Sequence, residues 1–518
     1  MNSSDLNIEN ENKKRNNELT LDPENWDKMR ALGHQMIDDM IDYLQNIRQS
    51  PVWRKMPDEA KQFLKQDIPK LPQSTESIYN EFKQHIFPYN KGNIHPRFWA
   101  WVEGTGTPFG VLSEMLAAMM NPVVGIGEHS AMYVDEQVLA WCKTIIGFKE
   151  SASGILVSGA SIANLTALIV ARNHYLGKNA RKDGLKAISG QLTLYCSSET
   201  HSCIQKAAEA IGLGSNAVKK ISVNEHYQMN IEELKKTIRE DLEKDLIPFC
   251  VVANVGTVNT GAIDPLEEII DVCRQFNLWF HIDGAFGALA KLVPEYSERL
   301  KGIEVADSIS FDLHKWMYMP YEIGCVLIKN AEAHKNAFAV SPNYLLNHER
   351  GIASGPESFG NYGLELSRGF KSLKAWMSLK EHGIEKYSSL IKQNIEQANY
   401  LSDLIKQSPL LELATPVSMN IVCFRYRIKE ASKQQLDTLN KEIVMQLQEQ
   451  HIATASSTIL KGQYAIRVAI TNHRSKRSDF EILVKEVIRI GNELKSEVIQ
   501  ITGTKEEEND LIQKRYDI

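Results

Sequence analysis

Between about residue 190 and residue 328, short apolar runs alternate with helical stretches, and this alternation constrains the fold more than any other feature of the chain. Runs at 192–196, 248–253, 278–285 and 323–328, with another opening at 308, read as strands, and a helix is expected over 203–211. A brief apolar run at 154–157 leads through a small-residue turn into an Ala/Leu-rich helix. Strands separated by helices build a mainly parallel sheet with helical crossovers. In open sheets of this kind, ligands sit outside the carboxyl ends of the strands. His201, Asp283 and Lys315 each fall just past such an end.

Each of these residues has a chemical use at a sheet rim and an ordinary alternative. Lys315 stands between His314 and Trp316. Most lysines are solvated charges, yet an amine among aromatics can be desolvated enough to attack a carbonyl. Asp283 follows the apolar segment 279–282. It is either a helix cap or a buried carboxylate kept ionised by a cationic partner. His201 is a capping or core histidine, or a flat imidazole able to stack on a cofactor ring. The turn Ser158-Gly159-Ala160-Ser161 is either a tight turn capped by Ser161 or a phosphate seat at a bare helix N-terminus. No glycine-rich dinucleotide or P-loop motif claims that seat for another ligand. Amine, carboxylate, imidazole and phosphate seat together suit one small molecule, pyridoxal phosphate, whose protonated ring is an electron sink.

At 518 residues the chain exceeds one core, so two or three domains are expected. A net charge of −6 offers no general attraction to nucleic acid or to an anionic membrane. Seven cysteines without a CxxC pair argue against a zinc site and a disulfide framework, so no metal and a reducing cytoplasm are expected. The most apolar stretch, 109–127, is interrupted by Ser113, Glu114, Asn121 and Pro122 and is unsuited to spanning a bilayer. Residues 1–18 are polar and read as a disordered tail rather than a signal peptide.

Asp22-Pro23-Glu24 reads as a helix start, and apolar residues from Trp26 to Ile47 follow at three- and four-residue steps. That stripe buries either within the chain or against a partner subunit. The aromatic cluster Phe98, Trp99, Trp101 precedes Gly104 and Gly106. It is either plain core or a substrate wall where glycine lets backbone approach a ligand. Toward the C-terminus, helices are expected at 372–407, 433–450 and 477–499, with strands at 420–424 and 464–470.

The blocks Val157-Ser158-Gly159-Ala160-Ser161, Glu199-Thr200-His201, Phe280-His281-Ile282-Asp283-Gly284-Ala285 and Asp312-Leu313-His314-Lys315-Trp316 resemble the group II pyridoxal-phosphate-dependent amino-acid decarboxylases. That family includes the aromatic-amino-acid, histidine and glutamate decarboxylases, and the likeness runs from about residue 20 to 495. It implies the α/β architecture of the fold-type I pyridoxal-phosphate enzymes. A large domain with a mainly parallel seven-stranded sheet would be joined by an N-terminal helical arm and a small C-terminal α/β domain. The expected division is a tail 1–18, an arm 19–95 packing on a partner subunit, a large cofactor-binding domain 96–375, a small domain 376–502 and a charged tail 503–518. A cytoplasmic homodimer with a shared active site is implied, acting on a small amino acid, with neither nucleic acid nor membrane as partner.

The resemblance makes Lys315 the Schiff-base lysine, Asp283 the partner of the pyridine nitrogen and His201 the residue stacked on the ring. It puts Ala160, Ser161, Ser308 and His314 around the phosphate and Ala285 against the ring. The implied activity is decarboxylation of an L-amino acid to its amine. Trp99 and Trp101 favour an aromatic side chain, while Arg97 is the candidate partner for an acidic one. Two departures stand out. Asp312 occupies a position where many members carry asparagine. In the loop before Leu366, the position of the family's proton-donating tyrosine counts to Phe359, with Tyr362 three residues on. Phenylalanine there is associated with oxidative deamination to an aldehyde. The alternatives to a decarboxylase are therefore an aldehyde synthase and a catalytically silent scaffold binding another phosphate ligand.

Overall fold

The computed structural model describes residues 19–340 and 349–500, so the tails expected at 1–18 and 503–518 lie outside the described residues. The chain forms two compact units, residues 19–49 with 58–88, and residues 50–57 with the chain from 89 onward. In the first unit the long helix is Trp26–Asn46, starting later than Asp22-Pro23 suggests. Asn25 is the cap, its side chain accepting the Lys28 N–H at 3.0 Å, which satisfies an amide the helix cannot. Asp39 on this helix accepts from Tyr79 at 2.8 Å and Lys83 at 3.2 Å. Of its apolar stripe Leu32 is buried, whereas Trp26, Met29, Met36 and Ile41 stand exposed.

The second unit is built on a seven-stranded sheet. Its strands are β1 (Ser153–Val157), β2 (Leu192–Ser197), β3 (Val218–Ile221), β4 (Ile247–Asn254), β5 (Trp279–Asp283), β6 (Ser308–Asp312) and β7 (Gly324–Ile328). They lie in the order β1-β7-β6-β5-β4-β2-β3, and β7 alone runs against its neighbours. The expected strands are present, and β3 is the one not foreseen. Its sequence Val-Lys-Lys-Ile carries too little apolar character to announce an edge strand.

Successive residues of each strand bury on opposite faces. Ile155 and Val157, Cys250 and Val252, Val326 and Ile328 join one core; Leu156, Val251 and Ala253, Cys325 and Leu327 join the other. Coverage on both faces is why these strands read as unbroken apolar runs rather than alternating ones. Each fully buried aliphatic chain contributes about 1.5–3 kcal/mol by leaving water.

A second, antiparallel sheet takes β8 (Leu411–Leu413), β9 (Ile421–Tyr426), β10 (Ser456–Leu460) and β11 (Gln463–Ala469) in the order β10-β11-β9-β8. The helices Ser372–Gln407, Lys433–Glu449 and Arg477–Gln500 accompany it, close to their expected bounds. The short strands β8 and β10 went unforeseen because β8 is only three residues long and β10 opens on Ser-Ser-Thr. No helix among the described residues is long and apolar enough to cross a membrane.

Burial holds three histidines neutral: His281, His334 and His473 are each pushed down to about 4. In the unfolded chain each would protonate near its usual 6.5, so acid favours unfolding. Their stabilising effect is complete above about pH 6.5 and is lost as pH falls toward 4, on the order of 1.4 kcal/mol per histidine per pH unit. Burial raises Asp264 to about 6, which acts in the opposite sense over part of that window. Burial also raises Asp135, Glu136 and Asp307 and lowers His201 and His314. The large histidine shifts dominate, so the melting temperature should drop between pH 6.5 and 4.5; a flat profile by differential scanning fluorimetry would contradict these buried neutral imidazoles.

Candidate active site

The carboxyl ends of the parallel strands open into a cleft of about 500 Å³. The helix Ala160–Leu176 points its N-terminus at this cleft, with Ser158 to Ile162 in the wall. Gly159 is the cap residue and no side chain caps the helix, so Ser161 does not serve as the cap. The helix's first amides and its positive end are thus left for a ligand. A Cβ at Gly159 would lie 3.2 Å from the His314 ring. This places His314 beside the same seat as Ala160 and Ser161.

Asp283 ends β5 and is almost wholly buried. Its Oδ1 accepts the Ala285 N–H at 3.1 Å, and its Oδ2 accepts from Asn164 Nδ2 at 3.0 Å. His201 opens the helix Ser202–Ala210, and its Nδ1 accepts the Cys203 N–H at 3.2 Å, which leaves the ring proton on Nε2. Burial lowers its pKa; Asp283 opposes this and Lys315 adds to it.

Lys315 sits on the one-turn helix Leu313–Trp316 immediately after β6. Its Nζ is 3.1 Å from Asp312 Oδ2. Asp312 is buried, with the His314 Nε2 at 3.6 Å and its own Oδ1 lacking any hydrogen-bond partner. The turn is anchored by Trp316, fully buried, whose indole N–H donates to Asn394 at 3.1 Å. His314 accepts the Ile323 N–H on Nδ1, and burial lowers its pKa.

Lys315, His201, Asp283, Ala160, Ser161, Ala285 and His314 therefore share one cleft. Ser308 does not. It opens β6 and binds Trp279 and His281 inside the sheet, a full strand away from the rim. Trp101 lines the cleft, half exposed, with Lys91 Nζ 4.4 Å from its ring. Trp99 is fully buried in the core of the second sheet, stacked on Phe480 at 4.8 Å with its N–H on Ser475. Phe359 is buried beneath the Arg368 guanidinium at 4.9 Å, and the Tyr362 hydroxyl donates to Glu357 at 2.8 Å. Neither lines the cleft.

Arg97 is absent from the wall, whereas Arg467 is present and was not foreseen. Its guanidinium, 4 % exposed, donates to the carbonyls of Ala100, Val258 and Asn259 and has no carboxylate partner among the described residues. Asn164 was also missed: it lies inside an Ala/Leu-rich helix with no local signal of its use.

The donor set fits pyridoxal phosphate. An uncapped helix end faces the phosphate's place, a buried carboxylate and an open imidazole stand in the cleft, and one lysine enters beside them. The family model of the pyridoxal-dependent decarboxylase conserved domain matches residues 57–427. The chain belongs to the pyridoxal-dependent decarboxylases. Its cofactor is accordingly pyridoxal phosphate.

Among relatives of this decarboxylase, the aromatic-L-amino-acid decarboxylase of Bacillus atrophaeus is 33% identical over 90% of this chain and 96% of its own. The phenylacetaldehyde synthase of Petunia hybrida is 28% identical over 87% of this chain and 91% of its own. The structure of Oryza sativa TDC with PLP and tryptamine shares the fold at a TM-score of 0.83 and 23% identity, covering 92% of this chain and 100% of that one. Mouse CSAD shares it at 0.80 and 23%, covering 88% and 99%.

The decarboxylase's lysine turn depends on a close backbone approach. A Cβ at Gly104 would stand 1.9 Å from the His314 carbonyl oxygen and 2.8 Å from that of Lys315. Of the two readings of this segment, backbone packing holds at Gly104: the glycine admits the backbone of the lysine turn. Gly104→Ala should destabilise the protein by roughly 1–3 kcal/mol and weaken cofactor binding. Thermal melts and titration with pyridoxal phosphate test this; wild-type values in both would show the contact to be dispensable.

Proposed function

We propose that this decarboxylase removes the α-carboxylate of an aromatic L-amino acid, releasing carbon dioxide and the amine. The observation that carries the reading is the meeting of Lys315, Asp283 and His201 in one cleft. Bound pyridoxal phosphate supplies a ring that takes up the electron pair left when the carboxylate departs. Lys315 would hold the cofactor as a Schiff base, and its free ammonium lies against Asp312. Asp283 would pair with the ring nitrogen and keep it protonated, while His201 and Ala285 would lie against the ring. The seat at Ala160, Ser161 and His314 would take the phosphate.

Arg467, a buried cation without an acidic partner, receives the substrate's carboxylate, and Trp101 offers an aromatic wall. The name of the Bacillus relative agrees with an aromatic substrate. The proton that replaces the carboxylate comes from a donor on the wall, where Tyr321 and His201 stand. We further assign the working form as a cytoplasmic homodimer with an active site completed by the second copy. In support, the helix Trp26–Asn46 exposes Trp26, Met29 and Met36, the helix Pro108–Met120 exposes Met115, Met119 and Met120, and all seven cysteines are free thiols.

A second reading rests on Phe359, which has no hydroxyl to give, and on Tyr362, whose hydroxyl is bound to Glu357. If protonation is slow, dioxygen intercepts the electron-rich carbon. Amino acid, dioxygen and water then give aldehyde, carbon dioxide, ammonia and hydrogen peroxide. Relatives from Petunia hybrida and Arabidopsis thaliana, both phenylacetaldehyde synthases, support the same reading.

Two measurements decide. Asp283→Ala should lower turnover by roughly 10²-fold or more, the scale expected when a preorganised charge is removed from a dry site; near-normal rates would reject the role. With one aromatic amino acid as substrate, amine should exceed hydrogen peroxide. Stoichiometric peroxide would instead establish the aldehyde reading.

A further inference from the structure

Behind Asp283, on the side away from the cleft, buried polar side chains run in an unbroken line. The Trp279 indole N–H donates to Ser308 Oγ at 2.8 Å. Ser308 Oγ is 2.8 Å from His281 Nδ1, and His281 Nε2 is 2.8 Å from Asn164 Oδ1. Asn164 Nδ2 donates to Asp283 Oδ2 at 3.0 Å. Ser308, His281 and Asn164 are completely buried. Neighbouring strands supply the line: His281 and Ser308 are register partners across β5 and β6. Asn164 comes from the first turns of the helix whose end forms the phosphate seat.

The sense of every bond follows from the two ends. An indole nitrogen only donates, and a carboxamide nitrogen only donates while its oxygen only accepts. With Nδ2 turned to the carboxylate, the Asn164 oxygen faces His281 and also takes the Ser310 hydroxyl. Turning the amide over would set that oxygen against the carboxylate of Asp283. His281 must therefore carry its proton on Nε2. Ser308 already accepts the indole proton, so its single O–H goes to His281 Nδ1. A doubly protonated ring would turn a second donor on Ser308 Oγ in place of that bond, and burial favours the neutral ring, pushing the His281 pKa down to about 4.

We propose that Trp279, Ser308, His281 and Asn164 form a one-way hydrogen-bond relay that fixes the orientation of the Asp283 carboxylate toward the cofactor's ring nitrogen. These are positioning residues; none of the four reaches the substrate. The inference rests on the reading of Asp283 given above. The relay also ties the two ends of the cofactor together. The helix that seats the phosphate at residues 160 and 161 grips the carboxylate one turn later at residue 164, a rise of about 5–6 Å.

The test uses the full-length protein labelled with ¹⁵N-histidine, with and without pyridoxal phosphate, and assigns His281 by difference against His281→Gln. The relay requires a neutral ring protonated on Nε2 in both states. A ring protonated on Nδ1, or on both nitrogens near neutral pH, overturns it. This measurement needs no folded variant beyond the assignment control. Ser308→Ala should take the hydrogen bond from His281 Nδ1, moving that nitrogen's resonance while Asn164 keeps the proton on Nε2, and weaken pyridoxal phosphate binding by about tenfold, the cost of one hydrogen bond at a buried site. Ser308→Thr, which keeps the hydroxyl, should restore both. Wild-type affinity in Ser308→Ala also overturns the relay. Failure of the underlying reading shows separately: Asp283→Asn would then leave the absorption spectrum and affinity of the bound cofactor unchanged while the tautomer stays on Nε2.

Discussion

The parallel sheet covered on both faces is the constraint from which the rest follows. Strands β5 and β6 bury every side chain they carry, and β4 all but Ile247, so a polar group inside them must find a partner within the protein. Residues past the carboxyl ends are released from that rule. There the adjacent turns converge, and Asp283 and Lys315 arrive on neighbouring strands joined at the register pair Asp283 and Ser310. The floor of the cleft follows from this topology, while its wall is completed by Trp101, Tyr321 and Arg467 from outside the parallel strands.

Within that frame a single helix does two jobs. The end of Ala160–Leu176 is uncapped, at some cost in local stability, and so stays available to an anion. One turn on, the same helix turns Asn164 inward to the sheet and to Asp283. The charges of the cleft are balanced in pairs that are incomplete on purpose. Among the described residues, Asp312 faces Lys315 but keeps one buried oxygen unpaired, and Arg467 is held by carbonyls with no acid beside it. Unmet polar groups of this kind lower stability in isolation, and they concentrate where a ligand completes them.

The backbone around the lysine is held as firmly as the side chains. Trp316 is locked to Asn394 on the helix Ser372–Gln407, and Gly104 lets a distant segment lie directly on the turn. The amine is therefore carried on a short, anchored turn rather than on a free loop. Chemistry at such an amine loses less conformational freedom than it would on a mobile loop.

The sequence by itself determined the strand order's raw material, the rim positions of His201, Asp283 and Lys315, and the small-residue turn at the start of the helix Ala160–Leu176. These are local properties: apolar runs, the residues that end them, and glycine and serine at a helix start. It did not reveal the edge strand Val218–Ile221, whose two lysines hide its pattern. Nor could it separate Trp99 from Trp101, two residues apart, because Trp99 meets Ser475 and Phe480 nearly four hundred residues on. Ser308 was misread for the same kind of reason. Its motif neighbours reach the rim, but it begins the strand rather than ending it, and the partners that claim it, Trp279 and His281, lie on the adjacent strand. Spacing along a chain fixes which residues leave a strand together. Only the packed structure decides which face they turn to and which distant side chain they find there, since those contacts exist only once the two sheets and their helices have closed on one another.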